Sequence, residues 1–105
     1  MKSYEVIFRP RARKYLISLY RYIVSQSSPQ IAASYIERME QPCLKLSSLP
    51  QRGTMLPSRI PGLRSMGFER RATIPFCVEA ETVEIVRILY RGRDLRPLIE
   101  SLSTS

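Results

Sequence analysis

Histidine is missing from this chain of 105 residues, and the residue patterns of most enzyme classes are missing with it. The two cysteines, Cys43 and Cys77, lie far apart and form no CxxC pair, so nothing completes a zinc site. The sequence also has no GxxxxGK phosphate-binding loop and no GxSxG motif, and its nine acidic residues are scattered. We therefore expect neither an ordinary metabolic enzyme nor a bound metal or cofactor.

Long apolar runs are also missing. No stretch approaches the roughly 18–20 apolar residues that a helix needs to cross a bilayer. Residues 1–5 lack the apolar core of a signal peptide. The sequence therefore predicts a cytoplasmic protein that has no contact with a membrane. In that reducing compartment, we expect both cysteines to be buried, reduced core residues.

Acidic residues are few compared with basic ones. Nine Asp and Glu stand against 17 Lys and Arg, which gives a net charge of +8, and 14 of the 17 are arginine. The planar fork of arginine pairs with either a carboxylate or a phosphate. We therefore expect an anionic partner, but charge alone does not distinguish nucleic acid from an acidic protein.

The chain has the length and the apolar content of one packed domain. Its 105 residues are too few for two cores, and 44% of them are hydrophobic. We predict a single domain over residues 1–105, with one main functional surface.

Apolar spacing in the first half predicts one strand and two helices. A β-branched and aromatic run from Tyr4 to Phe8 is followed by an amphipathic repeat over residues 11–25. Ser28 and Pro29 suit the cap and first position of a second helix, which Pro42 should bend. Together the helices should form a hairpin.

The second half predicts a loop and a sheet. Prolines and glycines are dense over residues 47–62, whereas residues 63–68, 71–78 and 82–90 look like three strands of an antiparallel meander. Pro75 cannot donate to a ladder, so it should lie at an edge or a bulge. The fold class is α+β, in the order β-α-α-β-β-β, with an antiparallel sheet covered by the N-terminal helical hairpin.

Two arginine clusters are candidate binding residues. The segment 87–94 brings a tyrosine and three arginines to one strand end, and Arg64 with Arg70 and Arg71 could extend the positive face. The alternative is structural: Arg87 pairs with a carboxylate, and the other arginines are solvated. The helices also carry more tyrosine than one buried stripe requires, which favours a groove for another chain.

The order of elements and several short segments resemble the RelE/ParE superfamily of toxins, in particular its ParE branch. The resemblance covers nearly the whole chain, and its segments are specific together rather than singly. They are Tyr22-Ile23, Ala33-Ser34-Tyr35-Ile36, Leu46 with Pro50 and Gly53, Ile60-Pro61-Gly62-Leu63-Arg64, and Arg87-Ile88-Leu89-Tyr90-Arg91-Gly92-Arg93-Asp94.

This resemblance implies a toxin of a type II toxin–antitoxin system. Toxins similar to ParE block DNA gyrase, and a ParD-like antitoxin neutralises them in a hetero-oligomeric complex that reaches operator DNA only through the antitoxin. RelE-type relatives instead cut mRNA on the ribosome. Here only Arg64, Arg87 and Tyr90 could form such a catalytic set, and it lacks a convincing base, because the ordinary pKa of tyrosine is about 10. Similar toxins often have histidine where Tyr90 stands, which makes that position tolerant rather than catalytic.

We therefore predict a gyrase inhibitor rather than an enzyme. The alternatives are a ribosome-dependent endoribonuclease on the same fold and a non-toxic antitoxin-binding module. The predicted target-binding residues are Arg64, Arg87, Tyr90, Arg91 and Arg93. The predicted antitoxin-binding residues, some of which must instead be core, are Tyr15, Leu19, Tyr22, Tyr35, Ile36 and Met39.

Overall fold

The computed structural model describes residues 3–90, and for Tyr90 the backbone only. Two helices precede most of the strands, as the spacing predicts. The elements are β1 (Glu5–Phe8), α1 (Pro10–Gln26), α2 (Pro29–Leu44), a 3-10 turn (Lys45–Ser47), β2 (Thr54–Met55), β3 (Leu63–Phe68), β4 (Ala72–Val78), β5 (Thr82–Ile85) and β6 (Leu89–Tyr90).

Both helices begin at a proline. Pro10 and Pro29 occupy first helical positions, where a missing N–H costs no intrahelical bond. The Oγ of Ser28 accepts a hydrogen bond of 3.2 Å from the backbone N–H of Ile31, so the predicted cap is confirmed. α2 continues through Pro42 and ends at Leu44.

The strands form one mixed sheet. Its order is β1-β5-β4-β3-β2, and β6 also pairs with β4. The sheet is mostly antiparallel, as predicted, but β1 pairs with β5 in parallel, with Glu5 opposite Thr82 and Phe8 opposite Ile85. Local patterning does not reveal this pair, because the two strands stand at opposite ends of the described chain.

The third predicted strand of the meander is divided. Residues 82–85 pair with the end of β4 and residues 89–90 with its beginning, so residues 86–88 leave the ladder. Pro75 explains the gap. Its carbonyl accepts from the N–H of Val86 at 3.0 Å, and the N and C=O of one strand residue point to the same neighbour. The missing N–H of Pro75 therefore faces the gap, although β4 is an interior strand rather than an edge.

Within the predicted loop, Thr54–Met55 also pair with β3.

The main core lies between the helices and one face of the sheet. Ala72, Ile74, Phe76 and Val78 of β4 share this face, as their alternation predicts. The buried members of the main core are Ala12, Leu19, Met39, Cys43, Leu46, Ala72, Ile74, Phe76, Val83, Ile85 and Ile88. A smaller cluster of Leu63, Cys77 and Val86 lies under Leu56 and Ile60 on the other face.

The positions of the two cysteines confirm the prediction that both are core residues. Both are free and buried, Cys43 in the main core and Cys77 in the smaller cluster. Burial, and secondarily the charge of Glu40, raises the pKa of Cys43 to about 12. This thiol is therefore neutral at physiological pH and unsuited to act as a nucleophile. Within residues 3–90 the structure has no helix long and apolar enough to cross a membrane.

Candidate functional site

The first helix carries three different faces. Ala12 and Leu19 are buried against the core. At 3.6 residues per turn, residues 13, 16, 17 and 20 lie on one flank of the helix, and residues 11, 14, 15 and 18 on the other. Each flank lines its own groove, which makes α1 the element on which the candidate site is built.

The first groove is mainly apolar and lies between α1 and α2. It has a volume of about 330 Å³, and we call it the apolar groove. Ile17 at its rim is 54% exposed, and Tyr20 is also exposed. Exposed apolar side chains of this size next to each other are typical of a surface that another chain covers. The lining residues are Arg13, Leu16, Ile17, Tyr20, Ile36 and Glu40.

The second groove is basic and lies between α1 and the segment that joins β5 to β6. It has a volume of about 380 Å³, and we call it the basic groove. Among the described residues that line it, three are cations and none is acidic. The lining residues are Arg11, Lys14, Tyr15, Ser18, Arg87, Ile88 and Leu89.

The gap in the sheet brings Arg87 to the basic groove. Val86 and Ile88 are both buried, in the smaller cluster and the main core respectively, so the chain is anchored on either side of Arg87. The Nη1 of Arg87 donates a hydrogen bond of 2.8 Å to the carbonyl of Val86, which orients the guanidinium. Burial lowers the pKa of Arg87, and the nearby charges of Arg11 and Arg9 lower it further. Arginine nevertheless stays protonated, so like charges crowd at this groove.

Two of the described carboxylates pair with arginines that do not line this groove. Glu84 lies 3.3 Å from Arg9, and Glu69 lies 3.2 Å from Arg38. Within residues 3–90, neither of these ion pairs includes Arg11, Lys14 or Arg87. Among residues 3–90, the structural alternative for Arg87, a pair with a carboxylate, is not found.

Arg64 has a different environment from Arg87. Its Nε donates to the carbonyl of Arg52 at 3.0 Å, and its Nη2 donates to the carbonyls of Gln51 at 2.8 Å and Gly53 at 3.4 Å. Arg64 therefore fixes the turn at residues 51–53 before β2. Among the described residues, no groove or hydrogen bond brings Arg64 together with Arg87, although both belong to the predicted target-binding set.

The other predicted target-binding residues are described incompletely. The backbone of Tyr90 pairs with Ala72 at the end of β6, next to the basic groove. Arg91 and Arg93 lie outside the described residues. Their assignment stays a prediction.

The predicted antitoxin-binding residues fall into two groups. Leu19 and Met39 are core residues, 4% and 0% exposed, and offer no surface to a partner in this structure. Tyr15, Tyr35 and Ile36 are half-buried, and Tyr22 is 44% exposed. Ile36 lines the apolar groove and Tyr15 lines the basic groove. The ring of Tyr35 packs edge-on against Phe68, at 5.6 Å between centroids.

Sequence reasoning did not single out two cations of the basic groove. Arg11 and Lys14 stand among several basic residues of α1. The available signal was their spacing with Tyr15 and Ser18 at steps of three and four, which defines one helical flank. That spacing alone does not reveal that Arg87, far along the chain, faces the same flank.

Comparison with known proteins agrees with this architecture. A family model described as "ParE toxin of type II toxin-antitoxin system, parDE" matches residues 6–95. A chain in the solved structure of the "Chromosomal ParDE TA system from P. aeruginosa" superposes with a TM-score of 0.74 at 23% identity, over 86% of this chain and 98% of that one. A search of curated proteins found no match. The family model matches most of the chain, including every residue that lines the two grooves. The chain therefore belongs to the ParE toxins of type II toxin–antitoxin systems.

Proposed function

We propose that this protein is a toxin that inhibits DNA gyrase and so blocks replication, and that a ParD-like antitoxin neutralises it. The proposal rests on membership of the ParE family and on the two grooves of α1. In this function the protein acts by binding in the cytoplasm rather than by catalysis.

The observation that carries the antitoxin half is the apolar groove. Ile17, Tyr20 and Ile36 line a channel between two helices, and Ile17 is more than half exposed. An amphipathic segment of a partner can lay its apolar face into a channel of this kind. We assign the groove to the antitoxin, with Tyr22 and Tyr35 as further contacts. Leu19 and Met39 support it from the core.

The observation that supports the target half is the placement of Arg87. It lies beside β6, whose continuation carries Tyr90, Arg91 and Arg93 in sequence. Charge concentrated at one strand end suits engagement of an anionic surface of the gyrase–DNA complex. Arg64 is left out of this set because its nitrogens already bind backbone carbonyls.

The first experiment is to induce the chain alone in a gyrase-sensitive bacterium and to add the purified protein to gyrase with supercoiled DNA. We expect growth arrest, and either loss of supercoiling activity or accumulation of cleaved DNA. An Arg87→Ala variant should relieve both effects, whereas Arg59→Ala, which removes an exposed arginine, should not.

Other outcomes would replace the proposal. Growth arrest with intact gyrase and cleaved mRNA would assign the chain to ribosome-dependent ribonucleases. Normal growth with neither effect would indicate a non-toxic module that only binds its antitoxin.

A further inference from the structure

The outward flank of α1 beside the basic groove carries a row of cations. Arg11, Lys14, Ser18 and Arg21 follow one another at steps of three and four residues, and all four are exposed. At the rise of an α-helix, the row is roughly 15 Å long. We call these four residues the cationic row. Arg87 lies beside the row, on the opposite wall of the basic groove.

No carboxylate interrupts the charge of the row. Residues 10–26, the whole of α1, contain neither Asp nor Glu. Glu84 of β5 is paired with Arg9 at 3.3 Å, and Glu40 of α2 lines the apolar groove on the other flank. Arg11 is instead close enough to Arg87 to lower the pKa of its guanidinium, after the larger effect of burial. A bound anion would therefore relieve repulsion between like charges.

The polar character of the row favours phosphate over an acidic protein. Contact surfaces between proteins usually have an apolar core. The row exposes guanidinium, ammonium and hydroxyl groups, whereas its apolar neighbours in the groove, Ile88 and Tyr15, are buried and half-buried respectively. The other flank of α1 is different, since Ile17 and Tyr20 are exposed there. Arginine, lysine and serine are common donors to the phosphate oxygens of nucleic acid.

The shape of the row favours a duplex over a single strand. Proteins that bind single strands stack successive bases on several aromatic rings. Of the described residues on this flank of α1, Tyr22 is the one exposed aromatic residue, at 44%. One ring does not hold successive bases. A duplex instead carries phosphates at short, regular intervals along each strand, so a straight row of this length meets several of them.

We propose that the cationic row, together with Arg87, binds the phosphate backbone of duplex DNA without regard to base sequence. This inference rests on the proposed function, because it names DNA as the anionic part of the gyrase–DNA complex that this face of the toxin engages. It adds Arg11, Lys14 and Arg21 to the target-binding residues. In this arrangement the toxin contacts gyrase where the enzyme holds its DNA.

The test measures DNA binding by the full chain without gyrase. The probes are two short fluorescent DNA duplexes of unrelated sequence and one of their single strands, with polyglutamate and unlabelled duplex as competitors. The variants that remove cations from this face are R11S/K14S, R21S and R87S, and R87K retains the charge. The matched control for the double variant is R52S/R59S, which removes two exposed arginines that flank β2. Circular dichroism establishes that each variant is folded.

We expect both duplexes to bind with the same affinity. That affinity should fall by about a hundredfold between about 50 and 200 mM salt, as for about four phosphate contacts. R11S/K14S should weaken duplex binding by about tenfold or more and reduce the dependence of log K on log salt by about two. R21S and R87S should each weaken it by about fivefold, and R87K should keep most of it, because lysine also binds phosphate. R52S/R59S should change it by less than about twofold, since charges away from the site are screened.

Other results would overturn the proposal. Equal losses for R52S/R59S and R11S/K14S would reveal only general charge attraction. A single strand that binds as tightly as the duplex would assign the row to flexible nucleic acid. Polyglutamate that displaces the duplex as efficiently, charge for charge, as unlabelled duplex does would assign the row to an acidic protein. Failure of the wild-type chain to bind duplex DNA at low salt would remove the site altogether.

These failures are separable from failure of the proposed function. A chain that inhibits gyrase, but whose R11S/K14S variant binds DNA like wild type, loses this inference alone. A chain that binds duplex DNA through the row but leaves gyrase active loses the proposed target alone. If both proposals hold, R11S/K14S should also inhibit gyrase more weakly than R52S/R59S does.

Discussion

Arg64 and Arg87 are both arginines beside the sheet, and the sequence places both in one predicted site, yet their surroundings differ. The guanidinium of Arg64 reaches three carbonyl oxygens of its own chain, at residues 51–53. Among residues 3–90, that of Arg87 reaches one carbonyl oxygen, the one of Val86, and lies close to other cations. The first arginine stabilises a turn, and we expect the second to bind a partner. The difference teaches that an arginine's role depends on which acceptors the fold places within its reach.

The largest expected effect concerns the turn that Arg64 fixes. Gly53 has a φ of +72°, and a Cβ there would overlap the backbone carbonyl of Ser65. Gly53→Ala should lower the free energy of unfolding by about 2–3 kcal/mol, because it adds backbone strain to that collision. Urea unfolding followed by circular dichroism measures the change.

Gly67→Ala is the matched control for Gly53→Ala. Its Cβ would approach a neighbouring strand no closer than 4.0 Å, at the carbonyl of Ala72. We expect a change within about 0.5 kcal/mol. Equal losses at both glycines would contradict a special role for the turn.

A second prediction compares the two arginines directly. Arg64→Ala should lower the free energy of unfolding by about 1–2 kcal/mol, because the carbonyls of residues 51–53 lose their donors. Arg87→Ala should change it by less than about 0.5 kcal/mol, since its removal also relieves repulsion. Urea unfolding of both variants measures the two changes. A larger loss of stability for Arg87→Ala than for Arg64→Ala would contradict the prediction.

A third prediction concerns activity. Arg87→Ala should raise the concentration of toxin that half-inhibits gyrase supercoiling by about tenfold, as expected when a partly desolvated charge is lost from an interface. Arg64→Ala, assayed where it remains folded, should keep nearly normal potency. If both variants lose potency equally while folded, then the two arginines act in one target site after all.

The smallest effect is expected at the edge of the basic groove. Glu84→Gln removes the partner of Arg9, whose side chain is 31% exposed, and should cost at most about 1 kcal/mol of stability. Urea unfolding measures the change. A loss clearly above about 1 kcal/mol would show that this ion pair stabilises the fold more than a partly exposed pair usually does.

Local chemistry determined what could be predicted from the sequence. Pro10, Ser28 and Pro29 mark helix starts by their backbone properties, and the alternation of β4 identifies its core face. Those features depend on near neighbours. The α+β fold class and the family resemblance are confirmed.

The rest depends on contacts between distant residues. The parallel pair of β1 and β5, and the arrival of Arg87 beside Arg11, join segments that share no local signal. Apolar spacing also gave α1 and α2 more apolar positions than one core uses. It does not reveal that, of the predicted antitoxin-binding residues, Leu19 is buried while Tyr22 is exposed.

The parallel pair has a consequence for synthesis of the protein. β1 leaves the ribosome well before its partner β5, because both helices and the strands β2, β3 and β4 lie between them in the chain. Contacts between such distant segments slow folding, because a long loop must close first. The main core, which includes Val83 and Ile85, cannot be completed on a short nascent chain. Products of interrupted translation that end before β5 would therefore lack both a finished core and the basic groove, so the chain acquires this groove only after β5 and the segment that follows it have been made.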